Sequence, residues 1–422
     1  MLSVRDAEST ILNAVKPLDN QRDIEYIDLL TANGRILASP VVSSRGFPHW
    51  DHALMDGYAV RYHDVQHARA DKPVILQVVA EIRTGDEPSV TLESGQAVRI
   101  FTGAMIPKGA DTVIMQEKTH RQENRVLVFI APQSHEFVIH QGEFYQAGND
   151  LLPSGIVLSA TEIALLAAAG REKVSVFRNI RVAIFSTGNE LVTLEELPKP
   201  GQIFDSNQYA LATLMRQLGA EVLLLGIVPD DPIALEQTID YAITSADIVI
   251  STGGVSVGEY DYIYRTLASL GATIHFNRVK MRPGKPLTFA TFPNEGLNYA
   301  GIDKLQKLYF GLPGNPGSAL VTCWRFVQPA VRKMSGMARG WEGKLLKVKS
   351  SSELQSNGKM ETYIQGELKL RNGECEFRQA EGKHSSANLV NLAQTNALAI
   401  LPVGKTIVHP GEEVWTLMVK EF

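Results

Sequence analysis

Hydrophobic residues along this chain follow two periods, and the change of period separates its predicted domains. From residue 74 to 137 apolar and polar residues alternate in short runs that Gly and Pro interrupt, and the alternation returns after Gly336. Alternation at every second position is typical of strands with one buried face. The first stretch predicts a small antiparallel β domain or barrel inserted in the chain, and the second predicts a C-terminal β domain of about eighty residues.

Between residues 174 and 336, short apolar, β-branched runs alternate with amphipathic helical segments. Strands are predicted at 182–186, 221–228, 247–251, 272–279 and 308–311, and helices at 206–218, 234–244 and 319–334. Strands that alternate with helices are typical of a parallel sheet, which binds ligands at the carboxyl ends of its strands. Further helices are predicted at 160–169 and, from the capping pattern of Ser3 and Asp6, at the start of the chain. The predicted fold class is multidomain α/β plus β.

The most unusual stretch is ADIVISTGGVSVGEYDY, residues 246–262, which combines a buried strand, a glycine turn and a helix start. Gly253 and Gly254 have no side chains, so backbone N–H groups there can approach an anion closely. A glycine turn that leads into a helix N-terminus is typical of a phosphate or oxyanion site. Glu259 and Asp261 follow and would suit a cation beside that anion. The glycine pair alone is weak evidence, because such a turn often only closes a βα loop.

Charged residues of both signs follow the other strands of this region. The loops carry Glu190, Asp230 with Asp231, and the cations Lys280, Arg282 and Lys285. Together with the glycine loops they predict a phosphate-bearing ligand held by Lys and Arg, with Mg²⁺ bridging it to Asp or Glu. The alternative for any single carboxylate is a helix N-cap or first-turn residue.

Composition and short motifs exclude several classes of protein. A chain of 422 residues exceeds a single core, so we expect about three domains. A net charge of −5 gives no general attraction to nucleic acid or anionic membrane, and no apolar run is long enough to span a bilayer. Cys323 and Cys375 form no paired motif, which favours a reducing cytoplasm and packing of both thiols as small apolar groups.

Other catalytic chemistries find little support in the sequence. Ser256 and Ser318 have no His at a neighbouring loop, so covalent acyl chemistry is not expected. The spacing of His49 with His52, and of His63 with His67, leaves a zinc site as a minor alternative to solvated or packed histidines. Walker and Rossmann glycine motifs are absent from the sequence, which excludes ordinary P-loop NTPases and dehydrogenases.

Six motifs in order carry a resemblance to a known family. They are Met55–Ala59 (MDGYA), Ile100–Ala104 (IFTGA), Phe185–Leu191 (FSTGNEL), Gly253–Gly258 (GGVSVG) with Asp261, Arg282–Pro286 (RPGKP) and Gly311–Pro316 (GLPGNP). Together they resemble the molybdopterin molybdenumtransferase family, or MoeA family, to which the gephyrin E domain is related. The resemblance covers essentially the whole chain.

The resemblance implies an elongated homodimer of four-domain protomers. Residues 1–45 and 139–174 would form a discontinuous elongated domain, 46–138 an inserted β domain, 175–336 a molybdopterin-binding α/β domain and 337–422 a C-terminal β barrel. The implied reaction inserts molybdenum from molybdate into adenylated molybdopterin and releases AMP, in an active site between protomers. The implied setting is the cytoplasm, the implied partner is the molybdopterin adenylyltransferase that supplies the substrate, and neither nucleic acid nor membrane is expected to bind.

The resemblance also assigns residues to the site. Its functional motif positions coincide with Asp56, Thr102, Glu190, Asp230, Asp261 and Lys285, which are therefore the candidate catalytic residues. Glu190, Asp230 and Asp261 are also the candidate Mg²⁺ ligands. The candidate cofactor-binding residues are Gly253, Gly254, Ser256, Gly258, Lys280, Arg282, Pro313, Gly314, Asn315 and Ser318.

A few positions depart from the family pattern. His52 and Ala53 replace two small polar residues, Phe144 replaces an Asp, and Arg282 replaces a Lys that is common in the family. These changes raise an alternative function, an attenuated paralogue that binds the pterin or a partner protein as a scaffold. We expect Phe144 to pack against the apolar segment 151–158, which would leave activity intact.

Overall fold

The computed structural model describes residues 1–254, 262–293, 306–371, 373–382 and 385–420. The chain divides into two compact units. The first unit comprises residues 1–39, 154–167 and 171–422, and the second comprises 40–153 with 168–170. The finer four-domain boundaries stay a prediction.

The helices and strands predicted for the α/β region are present, and the structure adds elements that were not predicted, among them the strand Pro286–Phe292. The α-helices are α1 (Val4–Ala14), α2 (Tyr62–Val65), α3 (Ala160–Ala168), α4 (Asn207–Gln217), α5 (Pro232–Ser245), α6 (Tyr262–Ser269), α7 (Pro316–Thr322), α8 (Gln328–Met334) and α9 (Leu389–Ala393). The strands are β1 (Ile24–Asp28), β2 (Val41–Val42), β3 (His52–Ala53), β4 (Gly57–Val60), β5 (Val74–Ile82), β6 (Gln96–Ile100), β7 (Thr112–Met115), β8 (Thr119–Gln122), β9 (Arg125–Val128), β10 (Val138–Ile139), β11 (Asp150–Leu152), β12 (Lys173–Phe177), β13 (Arg181–Thr187), β14 (Leu191–Val192), β15 (Ile203–Phe204), β16 (Glu221–Val228), β17 (Ile248–Thr252), β18 (Thr273–Arg278), β19 (Met281–Arg282), β20 (Pro286–Phe292), β21 (Lys307–Leu312), β22 (Leu345–Ser350), β23 (Leu354–Gln355), β24 (Glu361–Arg371), β25 (Glu374–Gln379), β26 (Ala397–Leu401), β27 (Ile407–Val408) and β28 (Glu413–Met418).

A six-stranded sheet in the order β16-β13-β17-β21-β20-β18 forms the centre of the first unit. The strands β16, β13, β17 and β21 are parallel, as predicted. By contrast, β20 and β18 are antiparallel additions at one edge. The connection from β18 to β20, residues 279–285, contains no crossover helix, and a parallel neighbour requires a longer crossover.

Both faces of this sheet are buried, because alternate residues of each strand enter different apolar clusters. On β13, Val182 and Ile184 pack with residues of α4 and of the helical segment 316–334, whereas Ala183 and Phe185 pack with residues of α5 and α6. Burial on both faces explains why these strands are continuously apolar in the sequence. The capped first helix is confirmed, since the Ser3 hydroxyl accepts the backbone N–H of Asp6 at 3.1 Å.

A closed five-stranded barrel ends the first unit, which confirms the predicted C-terminal β structure. Its ring is β24-β25-β22-β28-β26, and a second edge of β24 pairs with β26 to complete the circle. Apolar residues of all five strands fill the interior. The short strand β19 of the α/β region pairs in parallel with β24, so the barrel and the α/β sheet are joined within this unit.

The second unit contains a six-stranded sheet in the order β7-β4-β6-β5-β9-β8. Its pairings are antiparallel except for β5 with β6. Apolar clusters cover both faces of the sheet. Gly57 is required at the start of β4, because a Cβ atom there would lie 1.9 Å from the carbonyl oxygen of Ile114 on β7.

The prediction for Phe144 is wrong. Its side chain is 69% exposed and therefore does not pack against residues 151–158. The neighbouring Tyr145 turns inward instead, where its ring packs against Phe47 and its hydroxyl hydrogen-bonds to the backbone carbonyl of Asn149. In a tight turn adjacent side chains point to different sides, and here Tyr145 occupies the inner side.

One predicted helix and one cysteine of the first unit differ from the sequence predictions. The predicted helix at 319–334 begins earlier, at Pro316, and a π turn at Cys323–Val327 separates α7 from α8. Cys323 is buried as expected, but Cys375 is only partly buried. Among the described residues, no helix is long and apolar enough to cross a membrane.

Candidate functional site

The carboxyl ends of the four parallel strands meet at one edge of the α/β sheet, here called the rim. The rim comprises Thr187 at the end of β13 with residues 188–190 after it, Asp230 after β16, Gly253–Gly254 after β17 and Pro313–Asn315 after β21. The glycines are needed for this close approach. A Cβ atom on Gly253 would lie 2.0 Å from the carbonyl oxygen of Thr187, and one on Gly254 would lie 2.8 Å from the Thr187 methyl group.

Two of the predicted metal ligands lie beside the same strand end. The Thr187 hydroxyl donates a hydrogen bond of 2.5 Å to Oδ1 of Asp230. The Glu190 carboxylate folds back over Gly188, since a Cβ atom on Gly188 would lie 2.7 Å from Glu190 Oε2. Asp231, in contrast, caps α5 by accepting the backbone N–H of Ala234 at 2.9 Å, so the N-cap alternative holds for this carboxylate.

The third predicted metal ligand cannot be compared with the structure. Asp261, together with Ser256, Gly258 and Glu259, lies outside the described residues. Within the residues that are described, no group of three His, Cys, Asp or Glu side chains is close enough to hold a metal ion. The site seen here therefore consists of two exposed carboxylates, Glu190 and Asp230, at the end of β13 and β16.

A buried amide fixes the glycine loops of the rim. Asn207, at the start of α4, donates from Nδ2 to the Thr252 hydroxyl at 2.7 Å and to the Gly314 carbonyl at 2.8 Å. Thr252 in turn donates to the carbonyl of Pro313 at 3.2 Å. These bonds tie the loop after β17 to the loop after β21, so the two glycine-containing turns are held as one surface.

A pocket of about 1050 Å³ lies between the loop 281–286 of the α/β region and the barrel. Among the described residues that line it, the cations are Arg282 and Lys285 and the carboxylate is Glu353. The neutral polar residues include Ser318, Ser356, Asn357, Thr362, Gln365, Gln379, Ser385 and Ser386. Gly284 allows the loop to turn here, because its φ of +102° and the 2.5 Å distance from its would-be Cβ atom to the Thr322 methyl group exclude a side chain. Two cations surrounded by hydroxyl and amide groups suit an oxyanion.

The pocket adjoins the rim through the loop that begins α7. The Asn315 side chain donates to the Ser386 hydroxyl at 3.2 Å, and the backbone N–H of Gly317 donates to the Ser386 carbonyl at 2.7 Å. Ser318, the next residue of this turn, lines the pocket. Lys280 does not line it, and its backbone carbonyl instead accepts the N–H of Glu361 at 3.2 Å.

Asp56 and Thr102, two of the candidate catalytic residues, lie in contact in the second unit. The backbone N–H and the hydroxyl of Thr102 both donate to Asp56 Oδ1, at 2.8 and 2.7 Å. The pKa of Asp56 is lowered most by the hydrogen bond from the Thr102 backbone, and next by the bond from the Thr102 hydroxyl. The positive charge of Arg99 acts in the same direction. Arg99 is itself fixed between the rings of Tyr58 and Phe101. Asp56 is therefore held as an ionised carboxylate.

Comparison with known proteins identifies the family. Residues 2–170 match the MoeA N-terminal region (domain I and II), 183–333 a domain described as "probable molybdopterin binding domain", and 347–417 the MoeA C-terminal region (domain IV). A molybdopterin molybdenumtransferase of Nostoc sp. is 57% identical over 99% of this chain and 94% of its own length. This chain belongs to the MoeA family.

Other members agree in sequence and in fold. A molybdopterin molybdenumtransferase of Haemophilus influenzae is 36% identical over 80% of this chain and 78% of its own. Two crystal structures of the molybdopterin biosynthesis MoeA protein from Pyrococcus horikoshii superpose with TM-scores of 0.81 and 0.83, at 28% and 27% identity, and cover at least 99% of this chain and 100% of theirs. The resemblance stated from the motifs is thus confirmed.

In this MoeA chain the candidate catalytic residues fall into two groups. Glu190, Asp230 and Lys285 belong to the first unit, and Asp56 with Thr102 belongs to the second. Sequence reasoning missed the barrel residues of the pocket and the buried Asn207. Only the position of Asn207 at the start of a helix that follows the TGNEL loop could have drawn attention to it.

Proposed function

We propose that this chain is a molybdopterin molybdenumtransferase, which inserts molybdenum from molybdate into adenylated molybdopterin and releases AMP. The observation that carries this function is the rim of glycine turns and carboxylates that adjoins a cationic pocket. One substrate carries phosphates and the other is a small oxyanion, so the two parts of the site match two anionic ligands. The transferase name of relatives that match nearly the whole chain favours this function over the scaffold alternative.

The rim would bind the phosphates of adenylated molybdopterin. Gly253 and Gly254 are partly exposed and Gly314 is exposed, and an anion can approach backbone that carries no side chain closely. Asn207 keeps these turns in place before the ligand arrives. Preorganised donors need no rearrangement when they bind charge, which is why fixed turns are more effective than mobile ones.

The carboxylates of the rim fit Mg²⁺. Glu190 and Asp230 offer exposed carboxylate oxygens, the donor type that this hard cation prefers, and Asp261 is the further ligand that the family resemblance implies. Bound there, Mg²⁺ would offset the negative charge of the substrate phosphates. The Thr187 hydroxyl orients Asp230 by its hydrogen bond to Oδ1.

The pocket would receive molybdate. Arg282 and Lys285 supply positive charge on one wall, and Ser318, Ser385 and Ser386 supply hydroxyl groups. The Arg282 guanidinium can donate two parallel hydrogen bonds to one oxyanion, whereas Lys285 acts as a point charge.

Asp56 and Thr102 complete the proposed catalytic set. The ionised Asp56 can accept a hydrogen bond from water and orient it at the adenylyl bond, and Thr102 stabilises its charge. Following the family resemblance, we propose a homodimer in which one protomer supplies Asp56 and Thr102 to the site of its partner. We also propose that the adenylyltransferase that makes adenylated molybdopterin delivers its product to this protein in the cytoplasm.

AMP release tests the proposed function. The purified chain, incubated with adenylated molybdopterin, molybdate and Mg²⁺, should release AMP, and omission of molybdate or Mg²⁺ should suppress that release. D56N should abolish most of it, whereas D231N, which changes only a helix cap, should retain activity. Absence of AMP release by the unmodified chain under all these conditions would refute the function.

A further inference from the structure

A buried arginine connects three distant parts of the chain beneath the pocket. Arg325, in the π turn between α7 and α8, donates through both terminal nitrogens to the carboxylate of Glu8 on α1. Its Nε atom donates to the Tyr363 hydroxyl at 3.0 Å, and that hydroxyl donates to Glu361 at 2.6 Å. We call these four residues the clamp.

The clamp is largely removed from water. The Arg325 and Glu8 side chains are 12% and 23% exposed, and Tyr363 is 3% exposed. Burial opposes the charge of Arg325, but the hydrogen bonds that it donates to Glu8 and Tyr363, together with the charge interactions with both partners, outweigh burial and raise the pKa of Arg325. Burial also raises the pKa of Tyr363, so its hydroxyl stays protonated and can donate to Glu361. A buried ion pair of this kind often contributes no more stability than apolar packing would. The effect of the clamp is therefore sought in the residues that it positions.

The clamp holds the start of β24, which is also a wall of the pocket. Thr362 and Tyr363 line the pocket, and Thr362 is paired with Arg282 in the parallel ladder between β19 and β24. The wall and the cationic loop therefore face each other across a two-residue pairing. Such a short ladder fixes their separation only weakly, and Arg325 adds a rigid, three-bonded anchor from the core of the unit.

We propose that Arg325 is a positioning residue for the oxyanion pocket: by holding Tyr363, it fixes the barrel wall at the distance from Arg282 and Lys285 at which the pocket binds its ligand. The identity of that ligand as molybdate rests on the proposed function. Because the Tyr363 hydroxyl already donates to Glu361 and accepts from Arg325, it acts through the wall rather than as a donor to the ligand.

A matched pair of variants separates this role from simple stabilisation. The first is R325M, which removes the guanidinium but keeps an apolar chain of similar length. The control is D247N, which disrupts another buried arginine–carboxylate pair, in which Arg178 donates to Asp247 at 2.7 Å at the amino ends of the parallel strands. Y363F removes only the hydroxyl and leaves the Arg325–Glu8 pair intact, so it remains informative if R325M does not fold.

The measurements are molybdate binding by titration calorimetry, AMP release against molybdate concentration, and thermal unfolding. We expect R325M and Y363F each to weaken molybdate binding about tenfold, the effect of losing one hydrogen bond to a charged group. The double variant should bind no more weakly than either single one, because both changes release the same wall. D247N should lower the unfolding temperature without a change in molybdate affinity.

Each other outcome contradicts the proposal. If Y363F leaves the molybdate affinity unchanged, the clamp is only a structural contact. The same holds if the losses of molybdate affinity in R325M and Y363F add up in the double variant. A native chain that binds no molybdate would also overturn it. A native chain that binds molybdate but releases no AMP would refute the proposed function alone, since the binding comparison between variants still judges the clamp.

Discussion

Removal of the Asn207 side chain should weaken substrate binding at the rim more than it weakens the fold. Asn207 is 8% exposed and makes two hydrogen bonds across the rim, to the Thr252 hydroxyl and to the Gly314 carbonyl. N207A removes both bonds. The loops after β17 and β21 then lose their connection through this side chain.

The structure gives the expected size of the effect. Each neutral hydrogen bond contributes about 1 kcal/mol, so N207A should cost about 2 kcal/mol of unfolding free energy. Gly314 is exposed, so in N207A a water molecule can donate to its carbonyl in place of Asn207. The loss of unfolding free energy therefore does not include the penalty of an unpaired buried carbonyl at Gly314. A loss of about 1.4 kcal/mol in binding would raise the KM for adenylated molybdopterin about tenfold.

The neighbouring Gln208 provides a matched control. It is 6% exposed and also makes two hydrogen bonds, to Asp205 at 3.0 Å and from the backbone N–H of Gly226 at 3.1 Å. Neither partner belongs to the rim. Q208A should therefore cost similar stability in a denaturant titration while the KM in an AMP-release assay stays near that of the native chain.

Two outcomes would contradict a specific role of Asn207 at the rim. If N207A and Q208A lower stability equally and both leave KM unchanged, the hydrogen bonds of Asn207 do not organise the ligand site. If both raise KM equally, the effect reflects general loosening of α4 and not a specific brace of the rim.

Three further predictions concern other parts of the molecule. Burial opposes ionisation of Asp247, but the hydrogen bonds from Arg178 and from the backbone of Arg181 outweigh burial and lower the pKa of this carboxyl. The stability that Asp247 contributes is therefore fully present above the ordinary pKa of 3.8, and it is lost as the pH falls through the lower pKa of the folded state. D247N should therefore cost about 3 kcal/mol at neutral pH by denaturant titration, and a loss that does not shrink in acid would contradict this origin. F144D should change the free energy of unfolding by no more than about 0.5 kcal/mol, because the ring is exposed; a loss above that size in thermal unfolding would mean that the ring is packed. T102V should raise the pKa of Asp56 in an NMR titration, with the backbone bond preventing a full return to the ordinary value, and an unchanged pKa would show that the hydroxyl does not support the charge.

Much of the fold and the rim could be predicted because their signals are local. Each rim carboxylate or glycine follows directly after an apolar run, and the carboxyl ends of parallel strands meet at one edge. The approach of Gly253 to the backbone of Thr187 follows from that topology. The antiparallel edge strands were harder to predict, because periodicity describes burial and not strand direction.

The clamp and the pocket wall could not be predicted, because their signals are not local. Arg325 lies in a mostly apolar helical segment, and its partner Glu8 lies 317 residues away in the sequence. The exposure of Phe144 depends on which of two adjacent aromatic rings turns inward, and hydrophobicity alone would favour burial of the phenylalanine. Tyr145 is chosen because its hydroxyl reaches the backbone carbonyl of Asn149.

Molybdenum transfer itself tests the proposed function most directly. After incubation with adenylated molybdopterin, molybdate and Mg²⁺, the pterin product can be separated from the protein, its molybdenum content measured by mass spectrometry, and the amount compared with the AMP released. We expect one molybdenum bound for each AMP released by the native chain, and little of either in D56N. AMP formed without pterin-bound molybdenum would contradict the proposed function, because the protein would then only hydrolyse the adenylylated pterin.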